Sequence, residues 1–562
     1  MLNEADNFAD IFRGGLPYCL LIALPILILC TPSLASEFQV VSMTKFDVNG
    51  EPYGCRSSAI SLEAKSLYTW STGRHCVLAR LLDVSVNDLN NIRQKAGGLI
   101  AMLPKDVSIL SDEIKEQVLT LEKEMLTQSI PVPVYFAPYN PNLEHIINDI
   151  TQNSAKNNAK NEDAFAHLLM SVSANGYHVT VDGQNGAVNK NSKIPIIQGE
   201  LVPSQFALKH VDNAGESTTL PLILITTNLK TFGITNDYPL NADVAVVMSL
   251  VEIFSKLHSV ISTSPKYRLA FLISDAGLLL NFQGSKKWLE TDDNMSLQNV
   301  EFVLSLDTIT QSLAQNQPNA FYMHVSKPPK EKTPISHFFK LLKTVTGRHS
   351  ENATVEGIHK KINLAESKIS WEHERFSMKR FPAFTLSSVK NPSSSLRTTI
   401  FKDNEARTVA QTLTTVKIIA ETLACYIYKI DPMSDVFEGH VVINENNVLP
   451  YLGIKSVLQN NDIKDGFEKY LANVKITYDK PDARDPDFMF YNGIDPKLNV
   501  YRVKPAVFDL FLTLIVSLYL CSVYFAIQFF PRFYNFIAAN TKELFCGQVG
   551  NTQNATFKRK NN

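Results

Sequence analysis

Leu222-Ile223-Leu224-Ile225 and Leu269-Ala270-Phe271-Leu272-Ile273 are the two runs that decide the fold, since each is a wholly apolar stretch of strand length. Phe302-Val303-Leu304-Ser305-Leu306 and the segment 383–386 repeat the pattern further along the chain. Helical spacing of apolar residues separates these strands over 243–257, 335–345 and 406–430. Apolar strands that alternate with amphipathic helices predict an α/β domain over residues 216–430, with a sheet covered by helices on both faces.

A smaller α/β module is expected to precede this domain, over residues 37–215. Its clearest signal is a strand near 97–103, a helix over 112–126 and a second strand at 132–136, which is the order of a βαβ unit. Residues 431–505 carry interspersed charged and amide side chains, and we expect them to form a membrane-proximal connector.

The two ends of the chain are apolar and predict how it meets a membrane. Residues 14–36 contain no charge and end in small residues, which is typical of a secretory signal peptide over 1–36. The uncharged run from Leu510 to Phe530 is long enough to cross a ~30 Å hydrocarbon core, so we predict a transmembrane helix over 506–530. The tail 531–562 is basic, and the positive-inside rule therefore places it in the cytosol and the bulk of the chain in the lumen.

The overall composition excludes several classes of protein. Lys and Arg total 54 and Asp and Glu total 55, so the chain lacks the basic excess that drives nucleic-acid binding. With 45% hydrophobic residues the chain is not broadly disordered, and 7 Cys do not make a disulfide scaffold. We therefore expect a folded integral membrane protein that binds no nucleic acid.

The predicted topology indicates which Asn-x-Ser/Thr tripeptides can be glycosylated and which cysteines can form a disulfide. Asn294 and Asn352 lie on the predicted luminal side and are candidate glycosylation sites, whereas Asn554 lies in the predicted cytosolic tail and should stay unmodified. Cys55 and Cys76 are also luminal and could pair as a disulfide in an oxidising compartment.

Several longer segments resemble one known family. They are Lys360-Lys361-Ile362-Asn363-Leu364-Ala365-Glu366, Trp371-Glu372-His373-Glu374-Arg375-Phe376, the stretch 381–387 and the membrane entry 501–510. These segments resemble the nicalin family, whose members are relatives of nicastrin. The resemblance implies that the main luminal domain is similar to the two-zinc aminopeptidases. Those enzymes hold two metal ions with a His-x-Asp motif, a bridging Asp, a Glu-Glu pair that supplies the general base, a later Asp and a distant His.

The resemblance also implies where each metal ligand should lie, and most of these positions hold other residue types. The His-x-Asp position holds Asn228-Leu229-Lys230, and the Glu-Glu position holds Leu278-Leu279. A charged Lys cannot coordinate a cation, and Leu can be neither ligand nor base. Asp307 matches the later Asp, while Asp243 is a doubtful match for the bridging Asp and is better explained as a helix N-cap.

The distant His is missing as well, since no His occurs between His373 and His440. A zincin-like start at His373-Glu374 also fails, because Ser377 stands where the second His should be. A zinc site needs three or four protein ligands. We therefore predict no catalytic residue, no metal and no cofactor, with Asp307 as a structural remnant.

The resemblance implies a non-catalytic role in a membrane complex of the endoplasmic reticulum. It predicts a type I membrane subunit whose partners are the Nodal modulator protein and a small polytopic membrane protein. This complex is expected to join a Sec-type translocon and to assist the biogenesis of multi-pass membrane proteins. Two alternatives stay open from the sequence. One is a luminal zinc aminopeptidase with a rearranged site, and the other is a nicastrin-like substrate receptor of an intramembrane protease.

Overall fold

The structure is a computed structural model, and it describes the following parts of the chain. The described residues are 35–157, 176–183, 186–201, 220–230, 232–235, 241–259, 266–291, 297, 299–310, 320–350, 352–401, 404–439, 441–453, 462–504 and 506–550. The predicted signal peptide therefore lies almost wholly outside the described residues, and so does Asn294. The chain divides into two units: one contains Glu37–Thr151 with Val179–Asn499, and the other contains Met1–Ser36, Gln152–His178 and Val500–Asn562.

Strands and helices alternate along most of the described chain. The strands are β1 (Ala35–Gln39), β2 (Val41–Ser42), β3 (Lys45–Val48), β4 (Glu51–Cys55), β5 (Ile60–Lys65), β6 (His75–Arg80), β7 (Gly98–Met102), β8 (Ser129–Ile130), β9 (Val134–Ala137), β10 (Gly176–Val181), β11 (Ile194–Leu201), β12 (Leu222–Asn228), β13 (Arg268–Ser274), β14 (Val300–Leu306), β15 (Ala320–Val325), β16 (Thr354–His359), β17 (Ala383–Ser387), β18 (Ala472–Asp479), β19 (Phe488–Phe490) and β20 (Lys497–Val503). The helices are α1 (Val86–Lys95), α2 (Asp112–Thr127), α3 (Pro141–Asn157), α4 (Ala242–Ser259), α5 (Gln283–Glu290), α6 (Pro334–His349), α7 (His373–Met378), α8 (Glu405–Tyr428), α9 (Leu449–Leu452), α10 (Asp462–Tyr470) and α11 (Ala506–Gly550).

The main sheet has eight strands in the order β16-β15-β17-β14-β12-β13-β11-β18. Its four central strands, β13, β12, β14 and β17, run parallel to one another. Antiparallel strands flank them, since β15 pairs with β17 and β11 pairs with β13 in the opposite direction. The central strands are almost entirely buried, as expected for parallel strands covered on both faces.

Two further sheets belong to the N-terminal part of the fold. One has eight strands in the order β1-β20-β10-β5-β6-β7-β9-β2, and the other has four in the order β19-β3-β4-β8. Strands β6, β7 and β9 pair in parallel, and the crossover between β7 and β9 contains α2. This arrangement confirms the predicted βαβ unit.

Long apolar helices pack against the main sheet. Helix α4 is buried over most of its length and contacts β12, and it also packs against α8. Helix α6 packs against α8 and β16. Phe254, Phe302 and Phe338 are among the fully buried side chains of the core that these elements share. The predicted α/β class, with a mixed sheet covered by helices, is confirmed.

The predicted connector over 431–505 is wrong, because most of that segment belongs to the folded sheets. Strand β18 pairs with β11 at the edge of the main sheet, and β19 pairs with β3 in the four-stranded sheet. Strand β18 carries only Lys475 and Asp479 as charged residues, and its side chains are mostly exposed or half-buried. The boundary predicted at 215 does not separate the sheets either, since β11 from the N-terminal module lies in the main sheet.

Helix α11 begins at the predicted membrane entry and runs to Gly550. Within it, Phe508–Ala526 has a mean hydropathy of 1.9 and is not covered by other parts of the chain. Among the described helices, α11 is the one that is long and apolar enough to cross a membrane. The predicted C-terminal transmembrane segment therefore coincides with a helix, which continues into the predicted tail.

Candidate functional site

The residues predicted at metal-ligand positions meet at the carboxyl-terminal edge of the main sheet. Asn228 ends β12 and Asp307 directly follows β14, and these two strands are parallel neighbours. Carboxyl ends of parallel strands share one edge of a sheet, where open α/β proteins place their ligands. Lys230 and Asp243 reach the same edge, and so does Arg397, which the sequence did not single out. We call Lys230, Asp243, Asp307 and Arg397 the charge cluster.

Asp243 does not cap its helix, so that prediction is wrong. Its carboxylate accepts the backbone N–H groups of Thr308, at 2.6 Å, and of Ile309, at 2.8 Å, in the loop after β14. The first turn of α4 is instead closed by the Asn241 carbonyl, which accepts the N–H of Ala245. Burial raises the pKa of Asp243, and the charge of Lys230 opposes that shift. Both carboxylate oxygens of Asp243 are thus already used as hydrogen-bond acceptors.

Asp307 is held by a two-point ion pair with Arg397. The guanidinium donates from Nη2 to Oδ2 and from Nε to Oδ1, the latter at 3.2 Å. The Thr308 hydroxyl adds a bond of 2.8 Å to Oδ1. Burial alone would raise the pKa of Asp307, but the charge and hydrogen bonds of Arg397 outweigh it and hold this pKa below its ordinary value. Asp307 is therefore kept as a carboxylate whose counter-ion is a side chain.

Arg397 is itself fixed on several sides, and its side chain has no exposed surface. Its Nη1 donates to the carbonyl oxygens of Pro392, at 2.7 Å, and Ser370, at 3.0 Å. Its guanidinium lies 4.0 Å from the ring centre of Trp371, in cation–π geometry. His324 stacks on the same ring, also at 4.0 Å. These contacts leave Arg397 little freedom to move away from Asp307.

Lys230 provides the second positive charge of the cluster. Its backbone N–H donates to the Asn241 side chain at 2.8 Å, and its ammonium donates to the Leu396 carbonyl at 3.3 Å. Burial lowers the pKa of Lys230, while the carboxylates of Asp243 and Asp307 oppose that shift. Two basic side chains thus stand beside two acidic ones at the edge where the resemblance implies two metal ions.

The position at which the resemblance implies a Glu-Glu pair is occupied by apolar side chains. Leu278 and Leu279 lie in a short 3₁₀ turn, Leu278–Leu280, and Leu279 packs against two of the hydrophobic clusters. The cavity left between this turn and the charge cluster has a volume of about 20 Å³ and is lined in part by Lys230, Leu278 and Arg397. That space holds about one water molecule.

The two histidines nearest the cluster are engaged elsewhere. The Nδ1 atom of His373 lies 2.8 Å from the hydroxyl of Thr385, and burial lowers the pKa of His373 to about 3. The Nε2 atom of His324 donates to the carbonyl of Val389 at 3.0 Å, and burial lowers the pKa of His324 to about 4. Both rings are neutral structural groups at physiological pH.

These residues do not fit a two-zinc centre. The oxygens of Asp243 accept backbone N–H groups, those of Asp307 accept Arg397, and the ammonium of Lys230 would repel a cation. Within the parts of the chain that the structure describes, no group of three or more His, Cys, Asp or Glu side chains is placed to hold a metal ion. The arrangement neutralises charge and joins loops.

Sequence reasoning also missed a buried carboxyl group below the cluster. Glu372 accepts hydrogen bonds from the hydroxyls of Thr226, at 2.9 Å, of Ser305, at 2.6 Å, and of Ser285. Burial raises the pKa of Glu372, and these hydroxyl donors oppose the shift. The available signal was a hydroxyl side chain within a largely apolar strand, at Thr226 in β12 and at Ser305 in β14.

A second missed carboxyl group lies on α2. Glu122 is 1% exposed, and its Oε1 accepts the backbone N–H of Ile400 at 2.8 Å. Burial raises the pKa of Glu122 to about 8, against the opposing effects of Thr399, Ile400 and Lys230. Glu122 thereby ties α2 to the loop that carries Arg397.

The remaining predicted sites lie away from the charge cluster. Cys55 and Cys76 are separate buried thiols, so the predicted disulfide is not present. Cys55 lies on β4, where its Sγ donates to the Val132 carbonyl at 2.9 Å and accepts the Val134 N–H at 3.1 Å, while Cys76 lies on β6 of another sheet. Asn352 is exposed in the turn before β16, where a glycan could be attached.

Curated relatives match this chain along nearly its whole length. The human protein "BOS complex subunit NCLN" is 33% identical over 571 residues, which cover 95% of this chain and 98% of that protein. The Danio rerio protein of the same name is 31% identical over 585 residues, covering 96% and 98%. The Caenorhabditis elegans protein "Nicalin" is 24% identical over 564 residues, covering 92% and 96%. No protein-family profile matches the chain.

Solved structures similar to this chain include two bacterial peptidases. The zinc aminopeptidase BSAP from Bacillus subtilis has a TM-score of 0.31 and 11% identity, and the match covers 75% of this chain and 90% of that one. A peptidase M28 precursor from Shewanella amazonensis has a TM-score of 0.32 and 9% identity, covering 71% and 83%.

Proposed function

Because the chain belongs to the nicalin family of BOS complex subunits, we propose that it is a non-catalytic subunit of a membrane complex. The observation that carries the proposal is similarity to those subunits over 95% of the chain. Helix α11 supports the membrane assignment, because Phe508–Ala526 has the length and composition of a span. The matches cover 98% of the human and Danio rerio relatives and 96% of the Caenorhabditis elegans relative, so the proposal concerns their whole length.

The finer proposal places the chain in the membrane of the endoplasmic reticulum with type I topology. In this arrangement the residues before α11 are luminal and the C-terminal tail is cytosolic. The partners are the Nodal modulator protein and a small polytopic membrane protein, and the complex joins a Sec-type translocon to assist the biogenesis of multi-pass membrane proteins. The family resemblance supports these partners and this role.

The charge cluster supports the absence of catalysis. In the two-zinc aminopeptidases that the resemblance implies, the acidic ligands bind metal ions. Here Asp307 binds Arg397, and Asp243 accepts backbone N–H groups. Leu278 and Leu279 stand where the general base would be, and neither can accept a proton. We propose that this domain keeps its sheet as a scaffold for assembly.

Affinity purification of the full-length chain in mild detergent tests the proposed function. We expect the Nodal modulator protein, a small polytopic membrane protein and Sec-type translocon components to co-purify in stable proportion. A matched control is an unrelated type I protein of the same membrane, which should recover none of them. Recovery of intramembrane protease components alone would overturn the proposal and favour a substrate receptor.

Glycosidase digestion tests the topology separately. Asn294→Gln and Asn352→Gln should each remove one glycan if both acceptors are used, and Asn352 is exposed. Asn554→Gln is the matched control, since a cytosolic Asn stays unmodified. A mobility shift lost only in the Asn554→Gln variant would contradict the type I arrangement.

A further inference from the structure

An open pocket lies directly beside the filled metal-site position. Its volume is about 510 Å³, which falls within the range of sites that bind small molecules or peptide side chains. Leu278, Leu279 and Thr398 line both this pocket and the 20 Å³ cavity of the charge cluster. The 3₁₀ turn Leu278–Leu280, which we call the leucine turn, therefore lies between the charge cluster and the pocket and forms part of the pocket wall.

The walls of the pocket come from five parts of the same unit. They are the leucine turn with Asn281, the β3–β4 hairpin, the end of α2, the loop between β16 and α7, and the loop after β17. Asn281 fixes one wall, because its side chain donates to the Ser367 carbonyl at 2.7 Å and accepts the Ile369 N–H at 2.9 Å. Lys123 joins two other walls by donating to the Ser393 carbonyl at 2.8 Å. These bonds join neighbouring walls of the pocket.

The lining is amphipathic in a way that suits a peptide. Phe46, Leu126 and Leu279 contribute an apolar surface, and nine lining residues carry a hydroxyl or amide group. Some of these groups already bond within the chain, as Asn281 does, but an acyl chain would offer no hydrogen bond to the others, at a cost in free energy. A peptide offers backbone N–H and C=O groups to them and places one large side chain on the apolar surface.

The charges at the pocket select the peptide further. Lys123, Lys360 and Lys368 line it together with Glu51 and Glu366, which leaves a net positive charge. Lys368 lies over the Tyr53 ring at 4.5 Å, and Lys360 donates to the Ser370 hydroxyl. An ammonium has three N–H donors, so these positioned lysines can also bind a carboxylate. The two glutamates disfavour a ligand with many negative charges.

We propose that this pocket, which we call the lysine pocket, binds a segment of another protein that carries one acidic side chain next to a large apolar one. The segment would be bound and not cleaved, because Leu278 and Leu279 supply no base. This inference does not rest on membership of a translocon-associated complex, since it follows from the lining of the pocket alone.

The test uses the full-length chain in mild detergent and an array of acetylated, amidated tetrapeptides. One central position is Asp, Asn or Lys, and the next is Leu, Phe, Ser or Gly. We expect the Asp-Leu and Asp-Phe peptides to bind, and peptides lacking either group to bind about tenfold more weakly. The double variant Lys360→Glu/Lys368→Glu should lose about tenfold in affinity, because both exposed ammonium groups are reversed.

Lys343→Glu is the matched control, since Lys343 is exposed on α6 and does not line the pocket. It should bind the peptides as the parent does. Thermal unfolding of all three proteins checks that the reversals leave the fold intact. Absence of any binding peptide, binding that ignores the lysine reversal, or preference for fluorescent dodecanoate over the peptides would each overturn the proposal.

Discussion

The charge cluster and the lysine pocket both border the leucine turn, but their charged side chains differ in burial and pairing. In the charge cluster, Asp307 and Arg397 neutralise each other beside a small cavity of about 20 Å³. In the lysine pocket, Lys360 and Lys368 are exposed beside about 510 Å³ of open volume. The difference indicates that the charge cluster stabilises the fold, while the neighbouring surface stays available for binding.

Breaking the charge cluster should have the largest effect on stability. Arg397→Leu would leave the Asp307 carboxylate buried without its counter-ion, and we expect a loss of about 3–5 kcal/mol in the free energy of unfolding. Thermal unfolding in detergent measures the loss. The double variant Asp307→Leu/Arg397→Leu should recover much of it, because no unpaired charge remains.

Arg484→Ala is the control for this prediction, since Arg484 is exposed and its removal should cost little. If Arg397→Leu were no more damaging than Arg484→Ala, the ion pair would not hold the cluster together.

Glu122 should give the next largest effect, seen as a change with pH. Burial raises its pKa to about 8 in the folded chain, while the ordinary value is 4.5. The folded state therefore binds an extra proton between these values, and this contribution to stability is lost as the pH rises from about 5 to about 8. Glu122→Gln should reduce that loss by on the order of 2–4 kcal/mol.

Unfolding midpoints measured at intervals from pH 5 to pH 8 would show the effect as a flatter profile. Glu116→Gln provides a matched control on the same helix, because Glu116 is exposed. Parallel profiles for the parent and Glu122→Gln would contradict the buried, protonated state of Glu122.

The lysine pocket should tolerate charge reversal, in contrast to the cluster. Lys360→Glu/Lys368→Glu is expected to change the free energy of unfolding by no more than about 0.5 kcal/mol, since both side chains are exposed. The same thermal-unfolding assay measures this. A loss comparable to that of Arg397→Leu would mean that the lysines are structural, and the contrast between the two regions would disappear.

The sequence predicted the central strands because their apolar runs have the length of buried strands. It did not predict β18, because this edge strand is mostly exposed or half-buried and lacks the apolar run of the central strands. It located Lys230, Leu278 and Leu279 through the family resemblance, and the structure places all three around one small cavity.

Arg397 could not be found in the same way. It lies in a loop far along the chain from Asp307, and its partners Ser370 and Pro392 are backbone carbonyls that carry no sequence signal. Glu372 lies in one of the segments that resemble the nicalin family, yet its hydrogen-bond donors come from β12, β14 and α5. Only the folded chain brings these elements together. The residues at the implied ligand positions were thus visible in the sequence, whereas the buried groups around them were not.

Metal analysis of the purified full-length chain tests the central claim most directly. The protein would be equilibrated with zinc, freed of unbound metal and analysed for zinc content, with hydrolysis of an aminoacyl substrate measured on the same sample. The charge cluster predicts no bound zinc above the buffer background and no hydrolysis. About two zinc ions per chain together with hydrolysis would contradict the non-catalytic account.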